Sequence, residues 1–173
     1  MHSKEIQSLV KKGYFRFKLK KKNFHIIQKI LISSVKKKII NKKLDLEKFH
    51  ELLNVSKLNK LRMNVFKEIN KSQKFKKNTF FSAAKYIDKC VGTEICCSDI
   101  NLSIQYPKDE TSLLEMHTDF FSSESLFQIN LWIPFSKVSK TQSMFIIDPK
   151  SSVNILKKIK LDKKITFQSL QKK

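Results

Sequence analysis

Arginine is almost missing from this 173-residue chain. Of its 36 Lys and Arg residues only Arg16 and Arg62 are arginine, and lysine supplies the other 34. The formal net charge of +21 invites a nucleic-acid partner, because clustered cations neutralise phosphates and release counterions. Proteins that grip phosphates or read bases in fixed geometry, however, favour the guanidinium fork over the flexible ammonium. The lysines are also spread along the chain, in "KLKKK" at 18–22, "VKKKIINKK" at 35–43, "KFKK" at 74–77 and "LKKIKLDKK" at 156–164, beside many Ile, Asn and Phe. An A/T-rich coding sequence yields this composition. The leading expectation is therefore a set of solvated faces without a dedicated nucleic-acid surface, since charge of this kind sets solubility and loose association.

Cysteine is scarce too. Cys90, Cys96 and Cys97 are odd in number, two of them are adjacent, and no Cys-x-x-Cys pair exists. That is a poor disulfide framework and a poor zinc or redox motif, so small apolar residues in a reducing cytosol are expected. The N-terminal "MHSKEIQSLVKK" has no apolar core of a signal peptide. No run approaches the roughly 18 uninterrupted apolar residues of a spanning helix. These absences predict a cytoplasmic protein with no membrane partner.

What is present divides near residue 92. Before it, apolar residues recur at helical spacing. "NFHIIQKILISSVKKKII" aligns Phe24, Ile27, Ile30, Leu31, Val35 and Ile39 on one face, with His25 at its boundary. "LDLEKFHELLN" repeats the pattern, and so does "SKLNKLRMNVFKEINKS", for which Ser56 is the expected N-cap. "NTFFSAAKYIDKCVG" reads as a further helix, capped by Asn78 and stopped at Gly92. An early "GYFRFKL", 13–19, alternates enough to be a short strand. After Gly92 the period shortens to two. "INLSIQYP" sets Asn101, Ser103 and Gln105 against Leu102, Ile104 and Tyr106. "LLEMHTDFF", "LFQINLWIPF", "SMFIIDP" and a terminal "KITFQSL" read as further strands, which together predict an antiparallel sandwich or barrel.

The chemistry-bearing motif is His117-x-Asp119. On extended backbone, residues i and i+2 point the same way, so an imidazole and a carboxylate converge on one side. A neutral imidazole with a carboxylate suits Fe(II), whose recurrent protein site is two His and one carboxylate with open positions. By itself the spacing also fits a plain hydrogen-bonded pair.

The flanking residues add to this. "NLSIQYP", then "HTD" followed by "SSESLFQINLWIP", then "KTQSMFIIDP" resemble the Fe(II)/2-oxoglutarate-dependent oxygenases of the phytanoyl-CoA dioxygenase-like kind. They resemble in particular the branch found in bacterial carbohydrate clusters, the sporadic carbohydrate cluster oxygenases. The motifs lie within residues 91–149, and "LNKLRMNVFKEIN" at 58–70 fits the segment that precedes them. The resemblance implies a double-stranded β-helix, or jelly roll, with His117 and Asp119 as the proximal iron ligands and Fe(II) and 2-oxoglutarate as cofactors. It further implies oxidation of a sugar or glycan precursor in surface polysaccharide synthesis. Asn101 and Gln105 become candidate partners of 2-oxoglutarate or substrate, and Trp132 a candidate pocket wall, though a strand Trp is commonly plain core.

The chain departs from that pattern in one respect. The family's distal His and the Arg that pairs with 2-oxoglutarate follow on later strands, whereas no His or Arg follows His117 here. His50, in "EKFHELL", sits on an expected helix among charges, and nothing singles out Lys163 or Lys164 as a carboxylate anchor. Four or five strands stand where a jelly roll has about eight. The sequence reading is thus an α+β chain: a helical part, 1–92, packed on an incomplete jelly roll, 93–173. Three explanations stay open: a truncated oxygenase, a barrel completed by a second chain, or a degenerate non-catalytic relative. A lysine-rich polyanion-binding protein is the rival from another class.

Overall fold

The computed structural model describes residues 3–39, 44–91, 95, 99–106, 116–119, 125, 128–139 and 143–161, with the backbone alone at 49, 50 and 161. Within them run five α-helices: α1 (Lys4–Lys12), α2 (Lys21–Lys36), α3 (Val55–Lys71), α4 (Gln73–Val91) and α5 (Pro149–Leu161), with a 3-10 segment at Leu46–Glu51.

The core is where the apolar stripes of α2, α3 and α4 meet. Ile27, Leu31 and Val35 from α2 lock against Leu58, Leu61, Val65 and Ile69 from α3 and Phe75 from α4, all buried. Burial of each such side chain contributes about 1.5–3 kcal/mol against exposure. The stripe expected on α2 is the stripe observed, with Phe24, Ile30 and Ile39 half-buried at its edges and His25 exposed. Ser34 and Ser82 are the buried polar residues among those described, and the Ser82 hydroxyl donates to the Thr79 carbonyl at 2.7 Å.

Helix ends follow local chemistry, though not always at the expected residue. The cap of α3 is Asn54 and not Ser56; its Oδ1 accepts from the Lys57 amide at 3.0 Å. Helix α4 starts at Gln73, five residues before the expected cap Asn78. Ser72 is placed to cap it, because its Oγ accepts from the Phe75 amide at 3.2 Å. Asn78 therefore lies within the helix, donating to the Lys74 carbonyl and accepting from Asn23 Nδ2 at 2.8 Å, which ties α4 to the start of α2. Two helices have no counterpart in the sequence reading. The Ser3 hydroxyl accepts from the Ile6 amide at the start of α1, and Gly13 ends that helix with φ 81°, a left-handed conformation that favours glycine. At the start of α5, Asp148 Oδ1 accepts from the Ser151 amide at 3.0 Å, and Pro149 opens the helix, where its fixed φ suits the first position.

The incomplete jelly roll is not found. Among the described residues there is no strand or sheet, and 61% of them are helical. The period-two pattern is nevertheless visible as one-sided burial. Leu102, Ile104 and Tyr106 are half-buried against the helical core while Asn101, Ser103 and Gln105 are exposed; Ile133 and Phe135 pack on the same core while Trp132 and Pro134 are exposed. Alternation therefore marks an extended chain lying on a helical surface, a task that needs no ladder of backbone hydrogen bonds. Of the 13–19 stretch expected as a strand, residues 14–19, with Lys20, are likewise extended and packed on α4, without a strand partner among the described residues. Of the other expected strands, "KITFQSL" lies outside the described residues, as do 113–115, 120–121 and 126–127 of the two central ones. The "SMFIIDP" stretch leaves Phe145 80% exposed and runs directly into α5.

Candidate metal site at His117 and Asp119

The expected convergence of residues 117 and 119 occurs. The His117 imidazole Nε2 lies 3.3 Å from Asp119 Oδ1, and both side chains are about two-fifths exposed, at 41% and 42%. Thr118 between them points the other way, its Oγ1 buried with no hydrogen-bond partner among the described residues. Leaving a buried hydroxyl unpaired costs about 1–3 kcal/mol.

Asp119 is fixed from a second segment. Its Oδ2 accepts from Asn130 Nδ2, and Asn130 Oδ1 in turn accepts from Gln128 Nε2 at 2.9 Å. This chain of Gln128, Asn130, Asp119 and His117 joins residues about ten positions apart across the surface. A carboxylate whose far oxygen is held in this way keeps its near oxygen aimed at the imidazole, the arrangement by which outer groups orient metal ligands. The sequence reading did not single out Asn130 or Gln128. Their signal was the polar alternation of "QIN", which places both on the outward face with Trp132.

The distance suits two neighbouring corners of a coordination sphere: ligand atoms about 2.1 Å from one ion and at right angles to each other lie about 3.0 Å apart. Among the described residues no third His, Cys, Asp or Glu gathers with them into a group of three. His25 is exposed on α2, and the His50 backbone belongs to the 3-10 segment. The residues present thus fit two ligand positions and not a complete site. Two protein ligands hold a metal weakly, because affinity depends on ligand count and preformed geometry.

Asn101 and Gln105 are exposed on the 99–106 segment, which is tied to the helices by Asn70 and by the Lys76–Asp99 ion pair at 3.0 Å. Trp132 is 47% exposed, on the same outward face as Asn130. No described helix is long and apolar enough to cross a membrane. No family model matches this chain, and no curated protein or solved structure does. The oxygenase resemblance consequently rests on the sequence motifs within 58–149 alone.

Proposed function

We propose that this chain supplies the proximal ligand pair of a non-haem Fe(II)/2-oxoglutarate-dependent dioxygenase. Its substrate class would be a sugar or glycan precursor of surface polysaccharide synthesis, in the cytoplasm. The observation that supports this reading is the 3.3 Å approach of His117 Nε2 to Asp119 Oδ1, with Asn130 holding the carboxylate from behind. With Fe(II) and 2-oxoglutarate bound, such a centre oxidises an unactivated C–H bond. The part of this chain is to present one imidazole and one carboxylate oxygen on a surface open to solvent. The third ligand and the partner of the 2-oxoglutarate carboxylate then come from another polypeptide segment, such as a second chain. The substrate class follows from the motif resemblance only.

Anaerobic equilibrium dialysis with Fe(II) tests the pair. Weak binding by the wild type that disappears in both His117→Ala and Asp119→Ala supports the reading, and binding that is indifferent to both substitutions ends it. Succinate formed from 2-oxoglutarate only after a second chain is added would establish the shared site. Iron binding without succinate under any pairing would favour a non-catalytic relative.

A further inference from the structure

Residues 14–20 are held on α4 by every second side chain. The Phe17 ring stacks on Tyr86 with centroids 4.1 Å apart, Phe15 lies 5.6 Å from Phe17 and 6.1 Å from Tyr86, and the Lys20 amide donates to the Ser82 carbonyl at 3.2 Å. Alternation then sends Tyr14, Arg16, Lys18 and Lys20 to solvent on the opposite side. At about 3.3 Å per residue the exposed row is about 20 Å long, and Lys21 and Lys22, exposed at the start of α2, extend it. From residue 11 to 22, seven of twelve residues are cationic and none is acidic, against 36 cations in 173 for the whole chain. One of the two arginines is here.

Where the row begins, an open cavity of about 360 Å³ is lined by Lys4, Glu5, Lys12, Tyr14, Phe15 and Arg16. Glu5 is the single carboxylate in that lining. Its charge is offset by Lys89, whose Nζ sits 3.0 Å from Glu5 Oε1. Tyr14 is 37% exposed, which leaves ring surface open beside the cations.

We propose that this row and the cavity at its head bind single-stranded nucleic acid. The cations neutralise successive phosphates along an extended backbone, and Tyr14 offers a ring on which one unpaired base stacks. Aromatic platforms beside a basic groove are the usual means of gripping single strands without sequence preference. Anchoring by Phe15 and Phe17 holds the row in place before a ligand arrives, so less ordering entropy is lost on binding. Duplex DNA fits poorly, because its bases are already stacked. The row uses neither His117 nor Asp119 and stands independently of the iron reading.

Fluorescence anisotropy with a labelled oligo-dT strand and a matched duplex, at several salt concentrations, tests this. Tyr14→Ala is expected to weaken single-strand binding about tenfold, the loss of one stacked base, while Tyr14→Phe keeps the wild-type affinity. Arg16→Ala is expected to weaken it and to make the log–log salt slope shallower by about 0.7. Lys60→Ala, an equal charge loss at an exposed site on α3, serves as the control and is expected to change little. Circular dichroism of each variant verifies that the helices are intact. The proposal is overturned if duplex binds as tightly as the single strand, if Tyr14→Ala has no effect, or if Lys60→Ala costs as much as Arg16→Ala. Any of these would show that net charge alone draws the ligand.

Discussion

The Asn70 side chain on α3 pairs with the backbone of Ile100 as a neighbouring strand would. Its Nδ2 donates to the Ile100 carbonyl at 3.0 Å and its Oδ1 accepts from the Ile100 amide at 2.8 Å, while Nδ2 also reaches the Phe66 carbonyl one turn back. One carboxamide thereby satisfies both polar groups of a residue whose extended segment has no strand beside it among the described residues. Asn70→Ala is expected to cost about 1–3 kcal/mol, because it leaves half-buried backbone groups unpaired. Urea denaturation measures the loss, and hydrogen exchange should show the Ile100 amide losing protection before the core of α3 does.

The three-helix core and the apolar stretch before α5 should respond oppositely to truncation. Ile27, Val65 and Ile69 are at most 1% exposed, whereas Phe145 is 80% exposed. Ile69→Ala is expected to destabilise by about 2–5 kcal/mol through lost burial and a residual cavity. Phe145→Ser should fall within about 0.5 kcal/mol of wild type, as surface substitutions usually do. Comparable losses at both positions would mean that Phe145 is covered in solution.

These contrasts show what a period in the sequence does and does not report. On α2 the spacing of Phe24, Ile27, Leu31 and Val35 is satisfied only by a helix, and a helix is found. The two-residue period of Leu102, Ile104 and Tyr106 requires only an extended chain with one side covered, so it was read as a sheet when helices supply the cover. Whether backbone partners exist depends on distant residues such as Asn70, which no local pattern reveals. Helices α1 and α5 were missed, although their caps, Ser3 with Gly13 and Asp148 with Pro149, are local signals. Their apolar faces are short, Ile6 and Leu9 on α1 and Ile155, Leu156 and Ile159 on α5, and none of these residues is fully buried. At the site, the His117–Asp119 pair was legible because i and i+2 are local, and Asn130 was not because it comes from a separate segment.

Acid stability should depend on Glu68. Burial alone would raise its pKa, yet hydrogen bonds from Ser34 and Lys38, with the Lys38 ammonium 3.3 Å away, outweigh that and hold the carboxyl below its ordinary value. A carboxyl with a depressed folded pKa adds stability above its unfolded pKa, and the contribution is lost as pH falls through the folded value. Melting temperature is therefore expected to drop as pH falls below the ordinary glutamate range, about 4.3. In Glu68→Gln that descent should be shallower, with lower stability at neutral pH. Parallel pH profiles for the two proteins would remove Glu68 from the account.

Gly13 separates backbone strain from crowding. Its φ of 81° lies in the left-handed region, where a side chain costs about 1–2 kcal/mol for most residues and less for Asn. An added Cβ would sit 3.7 Å from Ile146 Cγ2 and from Pro149 Cδ, ordinary contact distances, so space is not the obstacle. Gly13→Ala is thus expected to destabilise by about 1 kcal/mol, Gly13→Asn by less, and β-branched Gly13→Val by more. If crowding ruled instead, the larger Asn would be worse than Ala. Thermal melts of the three variants decide the order, and Asn above Ala would confirm that α1 ends here on conformational grounds and not for want of room beside α5.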